Sequence, residues 1–240
     1  MPPSEVSQPR EVHTLHVQMQ KVSPLPVLLD AAKDGKPRVL FGICAEPGAG
    51  KTTISEKLAK SVNAKYPGRC VVLAMDGFHL YRRQLSEGVA GRSPEESHAR
   101  RGAPWTFDPA GLSARLQKIR SSPTECVPWP GFDHAVKDPE EGAVQVNPSA
   151  QVIIVEGLYL LYRESGWEAL EHCFEQIWYL DTPPELCQAR LLARHQSAWG
   201  ISKEEAQRRI NENDGINSLL VRGTKGKAHG LLDYQEEIPC

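Results

Sequence analysis

The 240-residue sequence has no apolar run that approaches the roughly 20 residues a helix needs to cross a bilayer. Residues 1–5 are polar and acidic, so this start lacks the basic and apolar segments of a signal peptide and the arginines of a transit peptide. The formal net charge is only −2, without the basic excess of a nucleic-acid or membrane-surface binder. We therefore expect a cytoplasmic protein that binds neither nucleic acid nor membranes.

Cysteine pairing motifs are also lacking, because the six cysteines are scattered and include no CxxC pair. Cys44 and Cys70 lie in apolar, strand-like runs, where a small apolar side chain is readily buried. This pattern predicts reduced, mostly buried thiols rather than a disulfide framework or a zinc site.

An alternation of apolar strands and helices begins at Arg38. We predict strands over 39–45, 70–76, 151–156 and 176–181. We predict helices over 51–65, 109–120, 163–173, 183–197 and 202–220. Such alternation indicates an α/β fold in which helices flank a parallel sheet and ligands bind at the carboxyl ends of the strands. Short helical patterns before it predict an N-terminal helical extension over 1–37, ahead of one domain over 38–240.

A glycine-rich loop over 45–52, Ala-Glu-Pro-Gly-Ala-Gly-Lys-Thr, lies between the first strand and the first long helix of this domain. It matches the P-loop (Walker A) pattern GxxxxGK[ST] except at its first position, where Ala45 replaces glycine. That position ends the strand and needs a small residue more than a positive φ, so alanine is a mild change. The loop predicts a P-loop NTPase fold that binds the phosphates of ATP.

Each part of this loop has a chemical task. Gly48 and Gly50 let the backbone approach the phosphates, which the N-terminus of the following helix also attracts. Lys51 reaches the β- and γ-phosphates, and the Thr52 hydroxyl ligates Mg²⁺. The predicted phosphate-binding residues are Glu46, Pro47, Gly48, Ala49, Gly50, Lys51, Thr52 and Thr53.

Two carboxylates end neighbouring strands of the predicted sheet. Phosphoryl transfer needs metal ligands and a group that orients or deprotonates the attacking hydroxyl. We predict Asp76 as the catalytic base and a metal ligand, and Glu156 as a Mg²⁺ ligand, directly or through water. The alternative for Asp76 is a cap on the turn before Gly77.

A basic helix and two long loops complete the predicted site. Arg190 and Arg194 are four residues apart, hence on one helix face, and we predict that this helical lid over about 188–202 neutralises the transferring phosphoryl group. A solvated basic helix face is the alternative. Segments 77–107 and 122–150 are too long for ordinary connections, so we interpret them as acceptor-covering loops, with plain surface loops as the alternative.

Several blocks of sequence together resemble the uridine kinase/phosphoribulokinase/pantothenate kinase class of P-loop kinases. The blocks are 47–53, 75–80, 101–108, 132–134, 155–161 and 190–194. The chain is most similar to the branch that contains bacterial fructose-transport-associated kinases and a yeast ATP-dependent kinase, which the block 211–217 also resembles. The resemblance spans about 38–222. It implies ATP and Mg²⁺ as cosubstrates, an alcohol acceptor, a five-stranded parallel core with a lid, and Asp76 as the base.

The resemblance also extends to the residues that would line the acceptor pocket. By position it implies, as lining residues, Phe78, His79, Arg101, Phe107, Asp133, His134 and Tyr159. The two histidines could recognise hydroxyl groups or could be structural. Asp108 could join them, but we favour it as the cap of the helix that follows.

Two further groups of polar residues keep alternatives open. A basic group could bind a phosphate already carried by the acceptor, as in phosphoribulokinase, or could be a solvated surface; it comprises Arg82, Arg83, Arg100 and Arg101. Asn213 and Asn217 could contact adenine, ribose or the acceptor, or could cap a helix end.

These features together predict an ATP-dependent kinase that transfers the γ-phosphoryl group to a hydroxyl of a small metabolite, with a sugar or sugar-like polyol favoured. One alternative is a nucleoside kinase of the uridine type, although the complete Phe-Asp-His-Pro segment of those enzymes is absent. Another is a nucleotide-dependent regulatory NTPase without an acceptor. The sequence leaves the oligomeric state open, with a homodimer as one option.

Overall fold

The computed structural model describes residues 19–133 and 136–238. The strands are β1 Val39–Cys44, β2 Cys70–Ala74, β3 Val127–Asp133, β4 Asp138–Val146, β5 Val152–Gly157, β6 Gln176–Asp181 and β7 Gly230–Asp233. The α-helices are α1 Pro24–Ala31, α2 Lys51–Lys65, α3 Arg82–Leu85, α4 Pro94–Ala99, α5 Pro109–Ser121, α6 Pro184–Trp199, α7 Lys203–Arg209 and α8 Gly215–Gly223. No helix of this part of the chain is long and apolar enough to span a membrane.

A five-stranded sheet in the order β2-β5-β1-β6-β7 forms the centre of the fold, and its paired strands are all parallel. This confirms the predicted α/β architecture. Val152 and Ile154 of β5 pack into one hydrophobic cluster, whereas Ile153 and Val155 pack into the other. Because both faces of the strand are buried, its sequence is continuously apolar rather than alternating.

Helices cover both faces of the sheet. Leu58 and Val62 of α2 are buried on one face, where they join Leu28 of α1. Leu112 and Leu116 of α5 are buried on the other face. Of the helical pattern predicted before Pro24, the part up to residue 18 lies outside the described residues, and residues 19–23 form no helix. The domain boundary at residue 37 stays a prediction.

The predicted helix over 163–173 is wrong. Only a short 3₁₀ helix, Trp167–Leu170, forms within it. Ser165 and Gly166 take φ angles of +55° and +93°, which an α-helix cannot accommodate. The helix predicted over 202–220 forms in two parts, α7 and α8, joined by a π-helical turn over Ile210–Asp214.

Segment 122–150 contains an antiparallel hairpin, β3 and β4, that the sequence analysis did not predict. The indole Nε1 of Trp129 donates a hydrogen bond of 2.9 Å to the carbonyl of Ala74, which fixes the hairpin above the end of β2. A 3₁₀ helix over Met75–Phe78 follows β2, and a Cβ at Gly77 would overlap the carbonyl of Pro130 in the hairpin. The hairpin therefore forms a wall at the carboxyl edge of the sheet.

The thiols fit the expectation of reduced cysteines. Free and buried cysteines in the described part of the chain are Cys44, Cys70, Cys173 and Cys187, and Cys126 is free and exposed. Burial raises the pKa of the Cys44 thiol to about 11, so this side chain stays a neutral thiol at neutral pH.

Arg38, at the start of β1, is a buried cation whose partners are backbone carbonyls. Its guanidinium donates to Ala150 at 2.8 Å, to Asn147 at 2.9 Å and to Ile119 at 3.1 Å. Further bonds reach Pro123 at 3.1 Å and Ser122 at 3.3 Å. Because desolvation lowers the pKa of Arg38, these carbonyls are needed to stabilise its charge, and in return they anchor the end of α5 to the sheet.

We expect Arg38→Met to lower the free energy of unfolding by about 3 kcal/mol, because it leaves several buried carbonyls without donors. Arg69→Met is the control, since the Arg69 side chain makes an ion pair with the exposed Asp34 and should contribute less than about 1 kcal/mol. Urea unfolding of both variants measures the difference. Equal effects would show that the carbonyl cluster does not depend on Arg38.

Candidate active site

The glycine-rich loop has the backbone shape that phosphate binding requires. Gly48 and Gly50 take φ angles of +78° and +96°, which favour glycine, and α2 begins directly after them at Lys51. A Cβ at Gly48 would also overlap the carbonyl of Cys187 in α6, so the loop and the lid helix are in close contact. Ala45 is completely buried, as expected of a position that needs a small residue.

Three side chains from distant parts of the sequence contact this loop. Arg222 of α8 forms an ion pair of 2.7 Å with the buried Glu46. The hydroxyl of Thr182 donates to the carbonyl of Ala49 at 2.9 Å, and Arg190 donates to the same carbonyl at 3.0 Å. The sequence analysis missed Arg222 and Thr182, since nothing in their local sequence points to the loop.

The predicted cations lie beside the loop. The Nζ of Lys51 donates to two carbonyls of the loop, those of Ala45 and Glu46, each at 3.2 Å. Arg190 reaches the loop from α6, and Arg194, one helical turn further, lines the cavity described below. Arg190 thus contacts the phosphate loop and Arg194 lines the cavity, and their joint action on a phosphoryl group stays a prediction.

Thr52 and Glu156 meet at the carboxyl end of the sheet. The hydroxyl of Thr52 donates a hydrogen bond of 2.9 Å to Oε1 of Glu156. Burial raises the pKa of Glu156, and the charge of Asp76 acts in the same direction, whereas Lys51 and the Thr52 hydroxyl oppose the shift. The site thus holds a carboxylate in an environment that disfavours its charge.

Asp76 lies beyond the end of β2, in the 3₁₀ helix rather than in the strand. Parallel pairing places Ala74 opposite Glu156. Asp76 follows Ala74 closely in the chain, so it lies at the edge of the sheet near the end of β5. The turn itself is closed by a backbone bond of 3.1 Å from the His79 N–H to the Asp76 carbonyl. The Asp76 side chain lines the adjoining cavity.

The residues present fit a magnesium ion. The Thr52 hydroxyl and the carboxylates of Glu156 and Asp76 are oxygen donors, which Mg²⁺ prefers, and a cation would relieve the buried charge of Glu156. The described residues contain no group of three or more His, Cys, Asp or Glu side chains that would hold a metal by themselves. Mg²⁺ commonly binds through few protein oxygens together with nucleotide phosphates, so this arrangement suits it.

A cavity of about 1280 Å³ lies next to Asp76. The hairpin, the loop around α4, the lid helix α6 and the π-helical turn contribute its walls. Among the predicted site residues, it is lined by Asp76, His79, Arg101 and Arg194. The structure therefore brings together the predicted base, one lid arginine and two predicted acceptor residues.

Three predicted acceptor residues are buried behind the cavity wall instead. Phe107 stacks on His79 with ring centroids 3.9 Å apart, and the hydroxyl of Tyr159 donates a 2.6 Å hydrogen bond to the carbonyl of Gly102. Phe78 packs edge-on against Trp129. They shape the wall from behind, and their contact with an acceptor stays a prediction.

The remaining predicted residues lie near the hairpin turn or at a helix start. The carboxylate of Asp133 accepts a hydrogen bond of 3.1 Å from the Val136 N–H, and His134 lies outside the described residues. Asp108 accepts a 2.9 Å bond from the Gly111 N–H, so the favoured role as helix cap is confirmed.

The π-helical turn connects α6, the predicted lid, to the segment that carries Arg101, a predicted acceptor-covering loop. Nδ2 of Asn213 donates to the carbonyl of Arg101 at 2.9 Å, and Oδ1 of Asn217 accepts from Arg100 at 3.1 Å. On the other side, Oδ2 of Asp214 lies 2.7 Å from Nε2 of the buried His195 in α6. π-turns are frequent at functional sites. The sequence analysis missed His195 and Asp214, because no local spacing relates them.

The fold and this loop define a P-loop kinase, a class that uses ATP as phosphoryl donor. The family model described as "Phosphoribulokinase / Uridine kinase family" matches residues 40–214. The chain therefore belongs to the phosphoribulokinase/uridine kinase family.

Individual relatives support the same assignment. A Schizosaccharomyces pombe protein provisionally named a uridine kinase is 36% identical over 187 residues, which cover 77% of this chain and 78% of that protein. ATP-dependent kinase YFH7 from Zygosaccharomyces rouxii is 31% identical over 180 residues, which cover 63% of this chain but only 47% of that protein. A solved structure from Silicibacter sp., provisionally assigned as a fructose transport system kinase, is 31% identical with a TM-score of 0.72 over 87% of this chain and 98% of that chain.

We expect Glu156→Gln to lower turnover by about 10²-fold while it stabilises the nucleotide-free protein. The raised pKa of Glu156 means that the folded chain binds this proton more tightly than the unfolded chain, so wild-type stability falls as the pH rises through that pKa. Glutamine does not titrate. The excess in Tm of the variant over wild type should therefore widen as the pH rises above about 4.3, the ordinary pKa of a glutamate.

Thermal melts without nucleotide, across that pH range, measure this difference. Glu164→Gln is the control, because Glu164 lies on the surface, where its carboxylate accepts a bond from Tyr162. A constant difference in Tm between wild type and Glu156→Gln would contradict the prediction.

Proposed function

We propose that this protein is an ATP-dependent kinase that phosphorylates a hydroxyl group of a sugar or sugar-like polyol. The observation that carries the proposal is the position of Asp76, which lies on the wall of the cavity at the sheet edge where Thr52 and Glu156 meet. A hydroxyl group bound in the cavity could thus approach both the γ-phosphate and a carboxylate.

The chemistry then follows from the side chains present. Asp76 accepts the proton of the acceptor hydroxyl as its oxygen forms a bond to the γ-phosphorus, and the bond from that phosphorus to the bridging oxygen of ADP breaks. Lys51, Arg190 and Arg194 stabilise the negative charge that moves to the oxygens of the transferring and leaving groups. Thr52 and Glu156, with Asp76, would hold Mg²⁺, which neutralises phosphate charge when bound.

The cavity wall favours a polyol over a nucleoside. His79 and Arg101 line it as polar groups, which suits recognition of several hydroxyls. The exposed Trp199 is the obvious platform for a base, but His195 stacks on its ring at 4.4 Å and the Arg209 guanidinium lies over it at 4.3 Å. The fructose-transport assignment of the Silicibacter relative supports a sugar, whereas the name of the S. pombe relative supports uridine.

The expected cytoplasmic location and the lack of nucleic-acid or membrane partners remain part of this proposal, supported by the net charge of −2. A regulatory NTPase without an acceptor is the rival from another class. It offers no reason for a large cavity with the carboxylate residue Asp76 on its wall.

We expect Asp76→Asn to retain ATP binding while turnover falls by about 10²-fold or more, because asparagine cannot accept the proton. Lys51→Ala should instead weaken nucleotide binding and turnover together. Calorimetric ATP titration and an ADP-release assay separate the two effects. Turnover near wild type in Asp76→Asn would rule out Asp76 as the base.

The acceptor class is tested by incubating the protein with labelled ATP and a metabolite extract, and then identifying any labelled product by mass. A phosphorylated polyol is the expected product. A phosphorylated nucleoside would overturn the preference for sugars, and ATP hydrolysis that no acceptor accelerates would favour the regulatory NTPase.

A further inference from the structure

The structure separates the four arginines of the acceptor loop into two pairs. Arg82 and Arg101 line the cavity. Arg83 instead lies over the ring of Tyr81 at 5.1 Å, and Arg100 is held by the Glu212 carbonyl at 2.9 Å and by Asn217. Only the first pair is therefore available to a molecule in the cavity.

The charges around the cavity are unbalanced. Its cationic lining residues are Arg82, Arg101, Lys137, Arg194 and Arg209. Its acidic lining residues are Asp76, Glu212 and Asp214. Of these acids, Asp214 is bonded to His195 and Asp76 is the proposed base, so neither neutralises the cations at the far end of the cavity.

The excess of positive charge lies at the hairpin end, around Asp138. One oxygen of Asp138 accepts a 2.7 Å bond from the backbone N–H of Arg82 and lies 3.4 Å from Nη2 of Arg101. Within residues 19–133 and 136–238, the guanidinium of Arg82 makes a long contact of 3.5 Å with the Val136 carbonyl. The carboxylate of Asp138 thus pairs with the guanidinium of Arg101 but meets Arg82 at its backbone N–H.

Arg101 is also incompletely hydrogen-bonded. Its Nη2 donates to the Leu80 carbonyl at 2.8 Å, but its Nε is buried and has no hydrogen-bond partner among the described residues. A buried donor without a partner costs free energy, and a charged donor costs more. A bound anion would balance the charge of Arg101, and guanidinium groups match phosphate and carboxylate oxygens especially well.

An aromatic ring connects this cationic end to the catalytic end. Phe132 packs against the ring of His79, with centroids 4.8 Å apart, and lies under the Arg101 guanidinium at 5.4 Å. His79 directly follows the 3₁₀ helix that carries Asp76. The wall therefore runs from a carboxylate, past an imidazole and a phenyl ring, to a pair of arginines.

We propose that the acceptor carries an anionic oxygen group, a phosphate or a carboxylate, which Arg82 and Arg101 bind at the hairpin end of the cavity. This inference rests on the proposed kinase function and specifies its acceptor class. The carbon chain of the acceptor lies along Phe132, and the anion fixes the molecule so that its hydroxyl at the other end faces Asp76. Lys137 adds long-range attraction.

Matched acceptors test the proposal directly. The probes are glucose, glucose 6-phosphate and gluconate, then glycerol, glycerol 3-phosphate and glycerate, with uridine as the nucleoside; ADP release and product mass are measured for each. We expect at least about a tenfold higher kcat/KM for one anionic series than for the neutral compounds. The two anionic series distinguish phosphate from carboxylate, and equal or better use of neutral acceptors would overturn the inference.

Neighbouring arginines provide a matched pair of variants. Arg82→Gln should raise the KM of the anionic acceptor about tenfold with a much smaller change in kcat, whereas Arg83→Gln should leave both constants near wild type. Arg101→Gln should raise KM at least as much, and Arg82→Gln remains informative if that variant folds poorly. An unchanged KM in Arg82→Gln would contradict the proposed role.

Failure of this inference can be told apart from failure of the kinase proposal. Products from neutral acceptors alone would refute only the anionic acceptor. If no probe yields a product, the kinase proposal fails for these acceptor classes. Calorimetric titration of the ADP-loaded protein with the anionic and neutral probes then still tests whether the arginine site binds an anion. ADP occupies the phosphate loop in that experiment, so equal or absent binding of anionic and neutral probes would refute the arginine site.

Discussion

Parallel pairing of β5 with both β1 and β2 is the constraint on which the site depends. It brings three chain segments to one edge of the sheet: the loop after β1, the 3₁₀ helix after β2 and the end of β5 itself. The hydrogen bond between Thr52 and Glu156 then joins α2 to β5 across that edge. Because all five strands of this sheet are parallel, their carboxyl ends share one edge, and the phosphate loop, Asp76 and Glu156 all lie there.

The carboxyl edge of the sheet contains a buried acidic side chain, Glu156, whose negative charge does not stabilise the nucleotide-free protein. Burial raises the pKa of Glu156, so the ionised form required for a metal ion costs stability in the nucleotide-free protein. Elsewhere in the fold, neutral hydrogen-bond acceptors offset the cost of burying a charge. The guanidinium of Arg38, for example, donates to backbone carbonyls. In the proposed acceptor site the buried charge is a cation, since the guanidinium of Arg101 is partly buried beside the carboxylate of Asp138.

The lid and the acceptor loop are connected rather than independent. His195 of α6 contacts Asp214 of the π-helical turn, and Asn213 of the same turn holds the backbone of Arg101. Arg190 of α6 contacts the phosphate loop at its other end. A displacement of α6 would therefore change contacts both at the phosphate loop and at the turn that holds the backbone of Arg101.

Local sequence determined the elements whose signals are short-range: the apolar strands of the parallel sheet, the glycines of the phosphate loop, the Asp108 cap and the i,i+4 spacing of Arg190 and Arg194. It did not reveal the β3–β4 hairpin, where prolines such as Pro128 and Pro130 interrupt the strand pattern, or the four-residue β7. Tertiary structure alone decided which polar side chains meet. Arg222 finds Glu46, and His195 finds Asp214, across distances in sequence that no periodicity spans. It also decided that Arg82 and Arg101 face the cavity while Arg83 and Arg100 do not, because the direction of a side chain in a loop depends on what packs against its backbone.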